Sequence, residues 1–181
     1  MERMTEEMKI CPEDLVSIGW VVGFVDGEGC FLVNFNKKAK LTTGIEVKPS
    51  FSISQKSNSK NCVAAFEDYF KCGSIRHSKS DGTWKYEIRS LSEIRNKIIP
   101  FFEKYPLKTY KKNDFRLFCE ICSLMQKNQH VNFQGLEEIL QKAYAMNKSG
   151  RRKATLEELL EILRKNPKNP NRGRLKPSHI S

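Results

Sequence analysis

One segment of this chain stands out chemically, Trp20-Val21-Val22-Gly23-Phe24-Val25-Asp26-Gly27-Glu28-Gly29. It is an apolar run with two glycines four residues apart, and it ends in two carboxylates separated by a single glycine. Gly23 and Gly27 lie one helical turn apart on one face, so the backbone of a second helix can approach there without interference from Cβ atoms. The segment therefore predicts a helix that packs closely against another helix.

The end of this helix concentrates negative charge. Asp26 and Glu28 occur where Gly27 and Gly29 are expected to break the helix, next to backbone carbonyls that have no partner within it. The helix dipole is negative at this end, so uncompensated carboxylates are disfavoured there. A bound divalent cation would resolve the conflict.

The residues that follow alternate as in half-buried strands. In the first run, Phe31, Val33 and Phe35 are expected on one face and polar residues on the other. A second alternating run covers residues 46–54, where Pro49 places the strand at an edge or in a bulge.

In this context, residues 21–29 resemble the LAGLIDADG motif of homing endonucleases. Val21 and Val22 replace the usual Leu and Ala, and Glu28 replaces the usual Asp. The following strand is in the order that such proteins show, and the sequence contains no second copy of the motif. The resemblance is therefore to the single-motif branch, whose members work as homodimers.

The rest of the chain predicts alternating helices and hairpins. A helix is expected from about residue 60 to Gly73, a hairpin around Asp81-Gly82, and a helix capped by Ser90 and interrupted by Pro100. Thr155 with Glu158 predicts a capping box for a helix over residues 156–163. The resulting α+β order, α-β-β-α-β-β-α, is also the order that the resemblance implies, with an antiparallel DNA-binding sheet and extra C-terminal helices. We expect a flexible N-terminus (1–10), one domain (11–165) and a basic, disordered tail (166–181).

The overall charge favours an anionic partner. Lys and Arg total 32 against 21 acidic residues, which gives a net charge of +11 and a pI near 9.4. The sequence shows no membrane span and no secretory signal, so an intracellular protein is expected. The resemblance implies a mitochondrion, a chloroplast or the cytoplasm of an archaeon.

Six cysteines leave two interpretations open. Without a signal peptide they are expected to be free, buried thiols. Alternatively, Cys119-Glu-Ile-Cys122 could be half of a zinc or redox site, although a second pair with zinc-ligand spacing is missing.

Polar residues on the strands give the sheet a candidate DNA-binding face. A twisted antiparallel sheet can enter the major groove, where alternate residues contact bases and phosphates. Five of the candidates are basic and one is acidic, which suits a phosphate-rich partner. The candidates are Asn34, Asn36, Lys38, Lys48, Ser50, Ser52, Arg76, Ser78, Lys85, Glu87 and Arg89.

The resemblance also implies a catalytic centre. Glu28 and the carbonyl of Gly27 would bind Mg²⁺, with Mn²⁺ as a substitute, and Asp26 would hold the helix end. Trp20, Val22, Gly23 and Gly27 would form the dimer interface.

Two further catalytic roles follow from the same resemblance. Gln55 would orient water, and Lys108, with Lys111 as a close rival, would stabilise developing charge. Ser59 stands where a basic helper is expected, so Lys56 or Lys60 could serve instead.

These features predict a homodimeric, Mg²⁺-dependent, site-specific double-strand DNA endonuclease. By family analogy, its long pseudo-palindromic target lies in an allele that lacks the intron or intein, and cleavage leaves 3′ overhangs. The alternative is a protein that binds without cutting, either an RNA maturase acting on intron RNA or a DNA-binding regulator.

Overall fold

Helix α1, Pro12–Glu28, carries the whole motif and leads directly into the first strand. It begins at a proline, whose fixed φ and missing N–H suit the first helical position. It is the first element of a computed structural model that describes residues 12–147 and 152–170. The predictions for residues 1–10, for Cys11 and for the tail beyond residue 170 lie outside these ranges.

The expected order of elements is confirmed. After α1 come β1 (Gly29–Lys37), β2 (Ile45–Lys56), α2 (Lys60–Phe70), β3 (Ser74–Ser78), β4 (Thr83–Ile88), α3 (Leu91–Glu93) and α4 (Ile99–Lys104). A π-helical turn, Ile94–Ile98, joins α3 to α4, so the helix accommodates Pro100 with a wider turn. The extra C-terminal helices are α5 (Lys111–Gln126), α6 (Phe133–Ala145) and α7 (Leu156–Lys165).

The four strands form one antiparallel sheet in the order β1-β2-β4-β3. Strand β2 is therefore internal, and its register against β1 continues through the pair Val33 and Pro49 without a bulge. The carbonyl of Val33 points away from β2, towards Arg152, so the backbone nitrogen of Pro49 also points away from β1. Strand β4 pairs with β2 only from Phe51 onward, so the missing N–H faces no strand. Pro49 thus lies on a locally unpaired side of an internal strand.

One face of the sheet packs against helices and forms the core. Phe31 lies near its centre, with ring centroids 5.1 Å from Phe51, 5.8 Å from Phe102 and 5.4 Å from Phe118. These rings come from two strands and two helices, and each is almost completely buried. We call the opposite side of the sheet the outer face.

Two residues between α6 and α7 cover the free edge of β1. Asn147 donates from Nδ2 to the carbonyl of Phe31 at 2.7 Å, and Arg152 donates to the carbonyl of Val33 at 3.1 Å. The guanidinium of Arg152 also lies 4.5 Å from the ring centroid of Tyr144. An edge strand that would otherwise present unpaired carbonyls is therefore covered by side chains.

Two local predictions about helix caps are confirmed. The side chain of Ser90 accepts a hydrogen bond from the backbone of Glu93, and Thr155 forms a complete capping box with Glu158. Beyond α7, the buried side chain of Asn169 donates to the carbonyl of Leu163.

Among the described residues, no helix combines the length and apolar character that a membrane span requires.

Candidate functional site

Asp26 joins the end of α1 to the turn that precedes α5. Its carboxylate accepts hydrogen bonds from the backbone N–H of Lys108 at 2.6 Å and from the hydroxyl of Thr109 at 2.7 Å. Burial alone would raise the pKa of Asp26, but these hydrogen bonds and the nearby charge of Lys111 lower it below its ordinary value. Asp26 thus fixes the end of α1 to residues 108 and 109, which agrees with the expected structural role at the helix end. Its partner Thr109 was not predicted.

Glu28 has a different environment, although it is only two residues away. It is the last residue of α1, and it is exposed, as is Gly27 before it. Its position at a helix C-terminus places a carboxylate beside main-chain carbonyls that have no helical partner. A group of hard oxygen donors therefore faces solvent at this point.

The ammonium group of Lys111 lies against the same carbonyls. Nζ of Lys111 donates to the carbonyl of Gly27 at 3.2 Å and also contacts the carbonyl of Gly29. Burial lowers the pKa of Lys111 in spite of the acidic groups nearby, which include Asp26 and Glu28. Lys111, named as the rival in the sequence, is thus the lysine beside Glu28.

Lys108 is placed differently. Its backbone N–H bonds to Asp26, while its side chain is exposed. The structure therefore does not bring the Lys108 ammonium to the carbonyls at the end of α1.

Gln55 lies at the same end of the sheet as Glu28. The register pairs Gly29 with Ile53, and Gln55 is two residues further along β2, on the core side beside Trp84. The candidate helpers Lys56 and Lys60 make contacts with β4 and with the turn that precedes it. Nζ of Lys60 is 4.7 Å from the ring centroid of Trp84, and Lys56 reaches the carbonyl of Asp81 at 3.4 Å.

The donors at the end of α1 suit a hard divalent cation. A carboxylate at Glu28 and a carbonyl at Gly27 are oxygen ligands of the kind that Mg²⁺ and Ca²⁺ prefer. Within the described residues, no three His, Cys, Asp or Glu side chains cluster as a metal site would need. Glu28 and Gly27 of one chain supply two oxygen donors, whereas Mg²⁺ takes an octahedral set of ligands.

One side of α1 is lined by glycines with open space above them. A Cβ atom built at Gly19, Gly23 or Gly27 would meet nothing within 4 Å, and beside them Trp20 is 41% exposed. We call Gly19, Gly23, Gly27 and Trp20 the glycine face. Val22 lies on its margin, where it is half-buried against the core.

The strand register places the predicted DNA-binding residues together. Every candidate within the strands lies on the outer face, since each pairs with another residue of that face or alternates with a core residue. Three of them are much less exposed than the sequence suggested: Ser50 at 4%, Ser52 at 5% and Glu87 at 5%. The serines are too short to rise above their neighbours, whereas Glu87 is surrounded by cations. Glu87 thus lies on the outer face of the sheet but is buried there beneath other side chains.

A groove with a volume of about 560 Å³ lies between the outer face and the segment that precedes α7. Its lining includes the cations Lys48, Arg89, Arg152 and Lys153. The hydroxyl of Ser50, which also lines the groove, is buried without a hydrogen-bond partner. The contribution of residues 152–153 was missed in the sequence, where only the residue type of Asn147 could have indicated a turn. Asparagine tolerates a positive φ, and Asn147 adopts one of +48°.

Cys119 and Cys122 are poor candidates for a zinc or redox pair. Burial raises the pKa of both thiols to about 12, so they stay protonated at neutral pH. Metal binding and thiol exchange both require the thiolate. The two cysteines instead belong to the helix packing of α5.

Comparison with known proteins gives a consistent result. Residues 21–122 match the family model described as LAGLIDADG endonuclease. A probable intron-encoded endonuclease of Neurospora crassa is 33% identical over 71% of this chain and 28% of that protein. Homing endonuclease I-ApeII of Aeropyrum pernix is 29% identical over 80% of this chain and 89% of its own length. The chain spans about a quarter of the length of the two fungal relatives from Neurospora crassa and Podospora anserina.

Solved structures agree with these matches. The homing endonuclease I-TnaI superposes with a TM-score of 0.71 and 38% identity, covering 81% of this chain and 95% of that one. The archaeal intron-encoded homing endonuclease I-Vdi141I, solved in complex with DNA, gives a TM-score of 0.76 and 28% identity over 83% of this chain and 96% of that one. A structure of I-SmaMI was solved with an uncleaved DNA target and calcium ions, and it covers 83% of this chain and 49% of that one.

Proposed function

The chain belongs to the LAGLIDADG endonuclease family, and from this premise we propose that it is a site-specific homing endonuclease that cuts both strands of DNA as a homodimer. The proposed reaction is metal-dependent phosphodiester hydrolysis that leaves 3′ overhangs on a long, pseudo-palindromic target. The exposed Glu28 at the end of α1 is the observation that supports this proposal most directly, since a carboxylate without a structural partner would only repel phosphates in a protein that merely binds DNA.

Dimerisation is supported by the glycine face. Helix α1 has apolar residues or glycine around most of its circumference, which is typical of a helix that is covered on all sides. In the single chain its outward side remains open at Gly19, Gly23 and Gly27. A second copy of α1 related by a twofold axis would cover this side at close backbone distance and would bring two Glu28 residues together.

The paired ends of α1 would then hold the metal ions. Glu28 and the carbonyl of Gly27 from each chain supply oxygen donors that suit Mg²⁺, and Mn²⁺ can replace it. When bound, the cation neutralises charge on the phosphate and lowers the pKa of a water molecule that attacks it.

Other residues of the chain assist at the same place. We assign Lys111, rather than Lys108, the stabilisation of charge on the scissile phosphate, since its Nζ lies at the Gly27 carbonyl. Gln55, at the same end of the sheet, orients the attacking water.

The outer face is proposed to read the target in the major groove. Asn34, Asn36 and the basic residues of the strands lie together on this face, and the groove beside it adds Lys153. A twofold dimer presents two copies of the face, so each copy would read one half of the target. The target is proposed to lie in an allele without the intron, as relatives described as intron-encoded suggest.

Digestion of a randomised duplex library tests the proposal. Purified protein is expected to cut one long, roughly twofold-symmetric sequence in Mg²⁺, and to bind it without cutting in Ca²⁺. Glu28→Gln is expected to retain binding and to lose cleavage by at least about 10³-fold, as expected when a metal ligand is lost. Binding without cleavage by the wild-type protein in every metal would instead support a binding role, with intron RNA as the next ligand to test.

A further inference from the structure

The carboxylate of Glu87 lies at the centre of a cluster of cations on the outer face. It contacts Arg76, lies 3.1 Å from Nζ of Lys85 and lies 2.7 Å from Nε of Arg89. Glu87 is 5% exposed, whereas the side chains of Arg76 and Arg89 are more than half exposed. The acid is therefore buried beneath the three groups that it holds.

The charge state of this cluster is fixed by its surroundings. Burial alone would raise the pKa of Glu87, but the hydrogen bond from Lys85 and the charges of Lys85, Arg89 and Arg76 lower it. Glu87 is thus ionised at neutral pH, and the cluster has a net charge of +2. A carboxylate this well surrounded cannot itself reach a base without losing its partners.

A second carboxylate, Glu46, holds two cations at the other end of the sheet. Glu46 lies 2.7 Å from Nζ of Lys38 and 2.9 Å from Nζ of Lys48, and the amide of Asn36 donates to it at 3.4 Å. These hydrogen bonds lower the pKa of Glu46 to about 2. Each of the five basic residues predicted to contact DNA from the sheet is thus paired with Glu46 or Glu87.

We propose that Glu87, and in the same way Glu46, are positioning residues that set the sequence specificity of DNA binding. This inference rests on the proposed function, since it assumes that the outer face reads a duplex. An unpaired arginine or lysine can follow any phosphate, whereas a cation held by a carboxylate presents its free N–H groups in a fixed direction. The acids also lower the general attraction for phosphates, which reduces binding to wrong sequences.

Two variants of Glu87 separate these effects. Glu87→Gln keeps the shape but removes the charge, so it frees the cations and increases the positive charge of the outer face. Glu87→Asp keeps the charge but is one methylene shorter, so it can no longer contact all three cations. Glu120→Gln is the matched control, because Glu120 also pairs with two cations, Arg116 and Lys142, but on helices α5 and α6 rather than on the sheet.

The experiment measures binding in Ca²⁺ to the duplex selected by the wild-type protein from a randomised library, and to a scrambled duplex, over a series of salt concentrations. For Glu87→Gln we expect binding to the scrambled duplex to tighten about threefold and the specificity ratio to fall about tenfold, because a mobile cation gains phosphate contacts and loses base contacts. For Glu87→Asp we expect a lower ratio without tighter binding to the scrambled duplex. Repeating the selection with Glu87→Gln should show lost base preference at one position in each half-site.

The outcomes distinguish this inference from the proposed function. Equal weakening of both duplexes by Glu87→Gln, or a ratio that equals that of Glu120→Gln, would overturn the positioning role while leaving the endonuclease intact. A wild-type protein that selects no duplex sequence would overturn the proposed function and this inference with it. Thermal unfolding of each variant identifies those that bind poorly because they are unfolded.

Discussion

The end of α1 and the outer face of the sheet use their acidic residues in opposite ways. On the sheet, Glu87 is buried and held by three cations. At the end of α1, Asp26 is held by the turn at residues 108–109, but Glu28 is left exposed. An acid that is fully partnered organises its neighbours, whereas an acid without such partners is available for a ligand.

The two regions also differ in what surrounds them. The sheet has five cations within reach of its two acids, so both carboxylates are neutralised within one chain and an excess of positive charge remains. The end of α1 has one lysine, Lys111, bound to main-chain carbonyls rather than paired with Glu28 in a close ion pair. The acidic end of α1 therefore needs positive charge from outside the chain. The glycine face, where a second chain could bind, lies on the same helix.

The largest expected effect concerns the lysine at the end of α1. Lys111→Met is expected to slow single-turnover cleavage about 10²–10³-fold, because it removes the positive group to which we assign stabilisation of the scissile phosphate. Lys108→Met is the matched control, and we expect its rate to stay close to that of the wild type. If Lys108→Met were instead the slow variant, the assignment of the two lysines would have to be reversed.

A smaller effect is expected at the glycine face. A Cβ atom at position 23 meets nothing within 4 Å, so Gly23→Leu should stabilise the monomer by about 0.5–1 kcal/mol through better helix propensity. In the dimer it should overpack the interface and weaken association by about 1–3 kcal/mol. Sedimentation equilibrium and thermal unfolding measure the two effects separately, and a variant that dimerises as tightly as the wild type would rule out this face as the interface.

The smallest effect is expected for the partnered acid of α1. Asp26→Asn should lower the free energy of unfolding by about 1–2 kcal/mol, because it weakens charge-assisted hydrogen bonds to residues 108 and 109. Since the pKa of Asp26 is lower in the folded chain than its ordinary value, its contribution is complete above that value and is lost as the pH falls through the folded pKa. The difference in the free energy of unfolding between wild type and Asp26→Asn should therefore become smaller at acidic pH.

Urea unfolding at several pH values measures this difference. Glu28→Gln is the control, since an exposed acid should contribute little to stability. A similar loss of unfolding free energy in Asp26→Asn and Glu28→Gln would mean that the two acids do not differ in their contribution to stability.

The fold could be predicted largely because its signals are local. The alternation in β1 and β2, the Asp81-Gly82 turn and the caps at Ser90 and Thr155 each depend on residues close in sequence, and the structure confirms them. At the turn only Gly82 adopts a positive φ, of +64°. It could not be predicted that Pro49 lies in an internal strand without a bulge, because this depends on where β4, which is distant in sequence, starts to pair with β2.

The candidate site was less predictable because its details are long-range. The choice between Lys108 and Lys111 depends on Asp26, more than eighty residues earlier, which fixes the turn through Thr109. The burial of Glu87 depends on Arg76 from the neighbouring strand. A sequence pattern gives the face on which a residue lies, but not whether its charge is already paired.

The covered edge of β1 has a consequence for synthesis of the chain. The carbonyls of Phe31 and Val33 are made early, but Asn147 and Arg152, which bind them, follow 116 and 119 residues later. At the usual ribosomal speed this interval is roughly 6–23 s. During that time a hydrophobic strand has an open edge, which is the kind of surface that recruits other strands. The nascent chain is therefore most vulnerable to association through this edge until Asn147 and Arg152 have been made and have bound the β1 carbonyls.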